Sequence, residues 1–321
     1  MPPGKKPQGD ELVAPLRVAT VAALLVAASL AAAAPPRPQG PPAVLLSPDS
    51  LTRVSDHVYA LIGFPNIGIV VGNRATLVVD TGLGARNGAV AAGEARKLAK
   101  GPLLYLTTTH FHPEHAAGEG GFPPNTVLIR DEAQQKELAE NGRAMVERFS
   151  QMSAQNKALL AGVKFRAPDI VFDRELRVDL GGVTARLFWM GTAHTLGDEM
   201  IYVEPDKTLL SGDIVQNRML PNLYGPNARL KSWVEILDRL RPLEPRYVVP
   251  DHGALGDGSL VEREYSLLSN LQSRTLELKR QGKSADDAGR ILLAEFKTKY
   301  PDWPNLNGLP GLVKHVYSEN P

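Results

Sequence analysis

The 321-residue chain contains no cysteine. That absence excludes thiolate zinc sites, disulfide frameworks and any cysteine nucleophile. Only imidazole and oxygen donors remain for metal chemistry, and these suit zinc, iron or manganese. An excess of charge of one sign is also missing. The formal net charge is +1, so no electrostatic footprint for nucleic acid is present and no nucleic-acid partner is expected. Long apolar runs are scarce too. The longest, residues 18–34 (VATVAALLVAASLAAAA), falls short of the ~20 residues that span a bilayer. What is there is ordinary for a globular protein: 43% hydrophobic and 22% charged residues, in a chain long enough for one large domain or two small ones.

Lys5, Lys6 and Arg17 precede the apolar run, and its Ala-rich end offers small-x-small cleavage positions near Ala32 or Ala33, ahead of Pro35 and Pro36. This pattern is that of a secretory signal. The competing reading is an uncleaved anchor. The expectation is therefore a signal peptide over 1–34, a periplasmic or secreted protein, and no stable membrane anchoring after cleavage. Without cysteine, a lipoprotein is excluded. Residues 35–50 are Pro-rich and read as an extended, poorly ordered linker.

From Leu51 the chain alternates strand and helix signals. Short β-branched runs at His57–Ile62, Ile67–Val71 and Ala75–Val79, punctuated by Gly, Pro and Asn, predict an antiparallel meander. Helical spacing over Ala85–Lys100 is stopped by Gly101-Pro102, and Leu103–Thr108 reads as a buried strand. Val127–Arg130 is a strand, and 131–161 one long helical region. Ile170–Leu180 and Val183–Met190 pair across Gly181-Gly182 as a hairpin. Met200–Val203 and Thr208–Ser211 form another. Ser232–Leu240 is an amphipathic helix, Tyr247–Val249 a strand, and 261–281 and Ala285–Tyr300 are helices. The boundaries expected are a main domain over 51–260 and a helical extension over 261–321 packed on it.

The chemistry concentrates at strand ends. Leu104–Gly118 (LYLTTTHFHPEHAAG) holds His110, His112, Glu114 and His115, including three of the chain's seven histidines. His110 and His112 share a side in extended backbone, because side chains alternate. His194, Asp213 and His252 likewise each follow an apolar run. So many nitrogen and oxygen donors, each at the end of a strand, describe a transition-metal site. His57 and His315 read as structural. The loop 214–231 carries Asn217, Arg218, Asn222, Tyr224 and Arg229 as candidate substrate contacts, with Arg218 able to pair with a carboxylate.

In order, Asp80-Thr81-Gly82, the 110–115 cluster, Gly118, the Ala-His-Thr-x-Gly-Asp turn at 193–198, Ser-Gly-Asp at 211–213 and Asp-His-Gly at 251–253 resemble the signature of the metallo-β-lactamase superfamily. The resemblance spans about residues 51 to 255. It implies an α/β fold of the four-layer αββα sandwich type with two divalent metal ions, zinc first, iron or manganese as alternatives. His110, His112 and His194 would hold the first ion; His115, His252 and the carboxylate at position 114 the second; Asp213 would bridge them. Asp80 would orient the His loop from behind, and Asp198 would stabilise its own turn. The family has Asp where this chain has Glu114, whose oxygen reaches roughly 1.5 Å further for its extra methylene.

The function so implied is an exported metallohydrolase that takes a small-molecule substrate and cleaves an ester, thioester, lactone or amide/lactam bond. A metal-bridging hydroxide would be the nucleophile, oriented by Glu114 and Asp213. A β-lactamase proper, an iron-dependent oxidoreductase of the same fold and a non-catalytic metal-binding relative are the alternatives. Fold alone does not choose among them. Neither the substrate nor the oligomeric state is legible.

Overall fold

A computed structural model describes residues 44–319 apart from Tyr224 and Pro226, together with the isolated Gly4. The signal peptide expected over 1–34 and residues 35–43 of the expected linker lie outside the described residues. Everything below concerns the compact unit Pro41–Pro321. No described helix is long and apolar enough to cross a membrane.

The first sheet is built from β1 (Leu51–Arg53), β2 (Val58–Leu61), β3 (Ile67–Val71), β4 (Ala75–Val79), β5 (Leu103–Thr107), β6 (Val127–Asp131) and β7 (Ile170–Phe172), in that spatial order. β1 to β4 form the antiparallel meander, and β4 to β7 run parallel. The second sheet runs β12 (Tyr247–Val249), β11 (Thr208–Leu210), β10 (Glu199–Val203), β9 (Thr184–Trp189), β8 (Glu175–Asp179), antiparallel except for the parallel pair β11–β12.

Alternation along the strands builds the layers. Val70, Leu77 and Val79 of the first sheet meet Leu187, Ile201, Val203, Leu210 and Val249 of the second in one core between the sheets. The intervening residues Ile69, Val71 and Val78 face the other way, onto Ala91, Ala92 and Ala95 of α1 (Ala85–Leu98). Met200, Tyr202, Leu209 and Val248 face outward from the second sheet onto α5 (Leu230–Leu240), α6 (Ser259–Arg280), α7 (Ala285–Lys299) and α8 (Leu309–Glu319). The result is helix, sheet, sheet, helix. Strands covered on both faces are mostly apolar, which is why β3, β4 and β10 read as near-continuous hydrophobic runs, broken only by Thr76 and Glu199.

Three sequence expectations are corrected, and the helices expected in 261–321 are joined by a further one, α8. The single strand expected over Ile170–Leu180 is two: β7 pairs with β6 in the first sheet and β8 with β9 in the second, parting at Asp173-Arg174. The helical region 131–161 is broken at Ser153, whose extended backbone (φ −161°) ends α3 (Glu132–Met152) and whose hydroxyl caps α4 (Ala154–Leu159). The end of the expected linker belongs to the fold: Leu46 is buried, its N–H donates to Asn87 Oδ1, and Pro48–Ser50 is a turn of 3₁₀ helix.

Parallel β4 and β5, and parallel β11 and β12, bring their C-terminal ends to common edges. Asp80 follows β4, the His cluster follows β5, Asp213 follows β11 and His252 follows β12. Open α/β layers place ligands at such edges.

Candidate metal centre

The loop after β5 turns into the short helix α2 (Pro113–Ala116), with His112 at its N-cap position and Pro113 opening it. Pro suits that position because the N–H it lacks would have no helical partner. The turn carries Glu114 and His115 inward. Gly118 closes the loop against the β4 end: a Cβ there would lie 2.6 Å from Thr81 O and 2.8 Å from Gly82 O, so no larger residue fits. Thr81 Oγ1 donates to His115 O (2.6 Å) and accepts from Gly118 N–H (2.9 Å), which ties the two strand ends together.

Every site residue expected as a ligand is buried and in one cluster. His110 Nε2 lies 3.0 Å from His112 Nδ1, and His194 Nε2 lies 3.2 Å from the same nitrogen. Asp213 faces both halves, with Oδ2 3.3 Å from His194 Nε2 and Oδ1 3.3 Å from His252 Nε2. Donor atoms of Glu114, His115 and His252 form a second group within 4.8 Å of one another, as do those of His110, His112 and His194. His115 Nε2 is 3.8 Å from Glu114 Oε1.

The outer contacts fix which nitrogen each imidazole presents. His194 Nδ1 lies 2.6 Å from Asn222 O, and a carbonyl only accepts, so Nδ1 carries the proton and Nε2 the lone pair. His115 Nδ1 lies 3.1 Å from Asp80 Oδ2 and 3.2 Å from Asp251 Oδ2, which leaves Nε2 turned to Glu114. Thr109 binds the same two acids. Its N–H donates to Asp80 Oδ1 (2.7 Å), and its Oγ1 lies 2.9 Å from Asp251 Oδ2 and 3.0 Å from Asp80 Oδ2. Asp80 has a left-handed backbone (φ 70°), the conformation that aims its carboxylate back under the loop. Asn66 fixes the last strand end by donating from Nδ2 to Pro250 O (2.7 Å) and Gly253 O (2.9 Å).

Burial holds His110, His112 and His194 below the ordinary histidine range and His252 at about 4. Burial also lifts Glu114 to about 7. For Asp213 burial acts upward, but the surrounding His252, His194 and His115 outweigh it and hold the carboxyl at about 2. His115 is the exception among the imidazoles: burial lowers it, while Asp80, Asp251 and Glu114 together lift it well above the usual value. Neutral His110, His112, His194 and His252 around an ionised Asp213 are the protonation states a cation requires, whereas His115 has to release a proton to bind one.

The donor set fits metal ions. Glu114 Oε2, His115 Nε2 and Asp213 Oδ1 are buried and have no hydrogen-bond partner, a costly state for each atom unless something else binds it. Two nitrogens beside His112 Nδ1 cannot both share its single proton or lone pair. Imidazole and carboxylate without thiolate suit zinc, iron or manganese.

The remaining candidates fall elsewhere. Asp198 accepts from Thr195 N–H and Oγ1 and from Ala193 N–H, closing its turn. Asn222 meets the site through its carbonyl and Asn217 through its N–H, which donates to His252 O (3.2 Å). Arg229 N–H donates to Ala193 O; the nearest carboxylate to Arg218 is Asp302 at 3.7 Å. Tyr224 lies outside the described residues. His57 pairs with Asp206, and His315 with Ala228 O and Glu319. Thr109, Asn66 and the carbonyl of Asn222 were not singled out as site residues by the sequence. The Thr-Thr-Thr run before His110 was the one available signal.

Fold and cluster together define a metal-binding αββα protein. The model of the metallo-β-lactamase superfamily matches residues 61–252, and the chain belongs to that superfamily. It is 24% identical over 276 residues to a linear primary-alkylsulfatase of Pseudomonas sp. (strain ATCC 19151), covering 74% of this chain and 52% of that protein. It is 21% identical over 235 residues to a type 2 metallo-β-lactamase of Bacteroides fragilis, covering 68% and 85%. Among solved structures, the stereoselective inverting sec-alkylsulfatase Pisa1 from Pseudomonas sp. superposes with a TM-score of 0.67 at 18% identity, covering 84% of this chain and 50% of that one. The chain thus spans about half the length of these alkylsulfatases.

Proposed function

We propose that the chain is an exported hydrolase working with two divalent metal ions. The observation that carries this reading is the position of Asp213 between the group His110, His112, His194 and the group Glu114, His115, His252. The first group would hold one ion, the second the other, and Asp213 would touch both. When bound, such ions supply Lewis acidity and a hydrolytic nucleophile at neutral pH.

The protein's own part is orientation. The Asp80–Asp251–Thr109 network holds His115 from its Nδ1 side, and Asn222 O holds His194 from its Nδ1 side, so both present Nε2 inward. Rings of Phe64 against His252 (4.5 Å), Trp233 against His194 (5.7 Å) and Phe149 against His112 (6.2 Å) pack the imidazoles and keep water from their flanks. Asp213, held ionised, would offset part of the charge of the bound ions, whose Lewis acidity would serve an ester, thioester, lactone or amide/lactam bond. The relatives' names add sulfate esters to this set.

The test is turnover by zinc-loaded protein of a panel: nitrocefin, an acyl thioester, an aryl ester, a lactone and an alkyl sulfate. Turnover of at least one member, lost on chelation and reduced by 10³-fold or more in His112→Ala with an unchanged circular dichroism spectrum, is expected, in line with ~10²–10⁴ for a lost catalytic group. Silence across the panel, or undiminished activity in His112→Ala, contradicts the reading.

A further inference from the structure

A second cavity, of about 240 Å³, lies between Gln216–Arg218, the first half of α6 and the Lys299–Trp303 segment. It adjoins the metal centre through Asn217, whose side chain donates to Ala254 O (2.8 Å), and through Glu264, which lies within the field of Asp213. The site described above uses none of its other walls.

Those walls have a definite chemistry. Leu260 and Leu267 supply buried apolar surface, and the rings of Tyr300 and Trp303 stack at 4.4 Å and 28° beside them. Arg218, Arg263 and Lys299 stand among the lining residues. Arg263 hydrogen-bonds to Ser259 and shares the field of Asp257 without an ion-pair contact, and Lys299 lies over the Tyr300 ring with no ion pair to a carboxylate among the described residues. The two acids do not cancel this charge. Glu262 is committed to Arg241 at 2.8 Å, and Glu264 is buried, with burial lifting its carboxyl well above the usual range. Glu264 Oε1 and both amide atoms of Gln216 are buried without a partner in the protein, although Gln216 and Glu264 are only 2% and 3% exposed. Unsatisfied polar groups at that depth are rare and call for a partner.

We propose that this cavity binds a small organic anion with a planar apolar body. The body would lie on the Trp303–Tyr300 stack between Leu260 and Leu267, and the anionic group would meet Arg263 and Lys299. Size sets the scale: an apolar cavity of about 150 Å³ holds one benzene ring, so this one admits a one- or two-ring acid.

The probe is 2-naphthoate, titrated by calorimetry into full-length protein both metal-loaded and after chelation, with 2-naphthol as its neutral counterpart. Saturable binding of one equivalent in both forms is expected, at least tenfold weaker for 2-naphthol. It should weaken at least tenfold in Trp303→Ala and in the Arg263→Gln/Lys299→Gln double variant, whose exposed positions leave the fold intact. Equal affinity in the variants, equal affinity for 2-naphthol, binding that disappears on chelation, or no saturable binding overturns the proposal. None of these outcomes touches the hydrolase reading, whose readout is turnover.

Discussion

His115 shows how the centre works at the scale of one residue. An imidazole has two nitrogens, and here one is committed to Asp80 and Asp251, so the other is the donor. Asp80→Ala removes one of those acceptors and also the partner of Thr109 N–H. Loss of such an orienting partner lowers metal affinity by ~10–100-fold; competition with a chelating indicator measures it, and an unchanged affinity would show that Asp251 and Thr109 suffice. The ligands themselves were legible, because histidine and carboxylate spacing is written locally. Of their orienters only Asp80 was, through the resemblance to the superfamily. Thr109 reads as a strand-end β-branched residue, and its role arises from Asp80 and Asp251 meeting it from positions 29 and 142 residues away. Asp251 stood out only as the neighbour of His252.

At the scale of elements, α3 is a strut. Asp131 caps it by accepting Gln134 N–H; Gln134 Nε2 donates to Thr108 O beside the His loop; Glu137 accepts from Leu196 N–H in the His194 turn and from Asn227 Nδ2 in the following loop. One helix thus spaces two ligand-bearing segments. Burial lifts Asp131 to about 6, from an ordinary value of 3.8. The sign follows: a raised carboxyl favours the fold while protonated, so this contribution is full below pH 3.8 and is lost as pH rises through 6. Asp131→Asn keeps the cap acceptor and cannot ionise. Its melting temperature relative to wild type should therefore rise between pH 4 and pH 7; a difference that stays flat with pH contradicts the burial argument. The α3 strut was visible as helix, but its end was not: the extended Ser153 is the N-cap of α4, accepting from Asn156 N–H, and the helical spacing on both sides hid that cap. The β7–β8 break was hidden because both halves read as strand, β7 by its Ile-Val-Phe run and β8 by alternating Leu176 and Val178, and only the sheet each joins separates them. α8 had a readable signal in Leu309, Leu312, Val313 and Val316 at helical spacing. Pro310 masked it, though Pro is harmless in a first turn.

For the molecule as a whole, the last helices complete the outer layer and reach back to the site. α5 begins at Arg229 without a side-chain cap of its own, and Glu319 at the end of α8 accepts Leu230 N–H (2.8 Å) instead. A carboxylate there also suits the helix dipole. α5 in turn carries Trp233, which packs against His194. Leu309 is fully buried in this layer. Leu309→Ala should lower stability by about 2–5 kcal/mol, the range for a buried large-to-small change; a denaturation midpoint reads it, and a loss under about 0.5 kcal/mol, typical of surface positions, would show that α8 is not part of the core. The strands and helices could be read ahead of the structure from their apolar runs and spacing, whereas the four-layer arrangement came from the resemblance of the ordered motifs to the superfamily. The central claim is that this layered frame holds two ions, with Glu114 serving the second. Metal per chain, measured by elemental analysis after zinc loading and desalting, tests it most directly. The account predicts two equivalents in the wild type and one in Glu114→Ala. Equal metal content in the two proteins, or no more than one equivalent in the wild type, would contradict it.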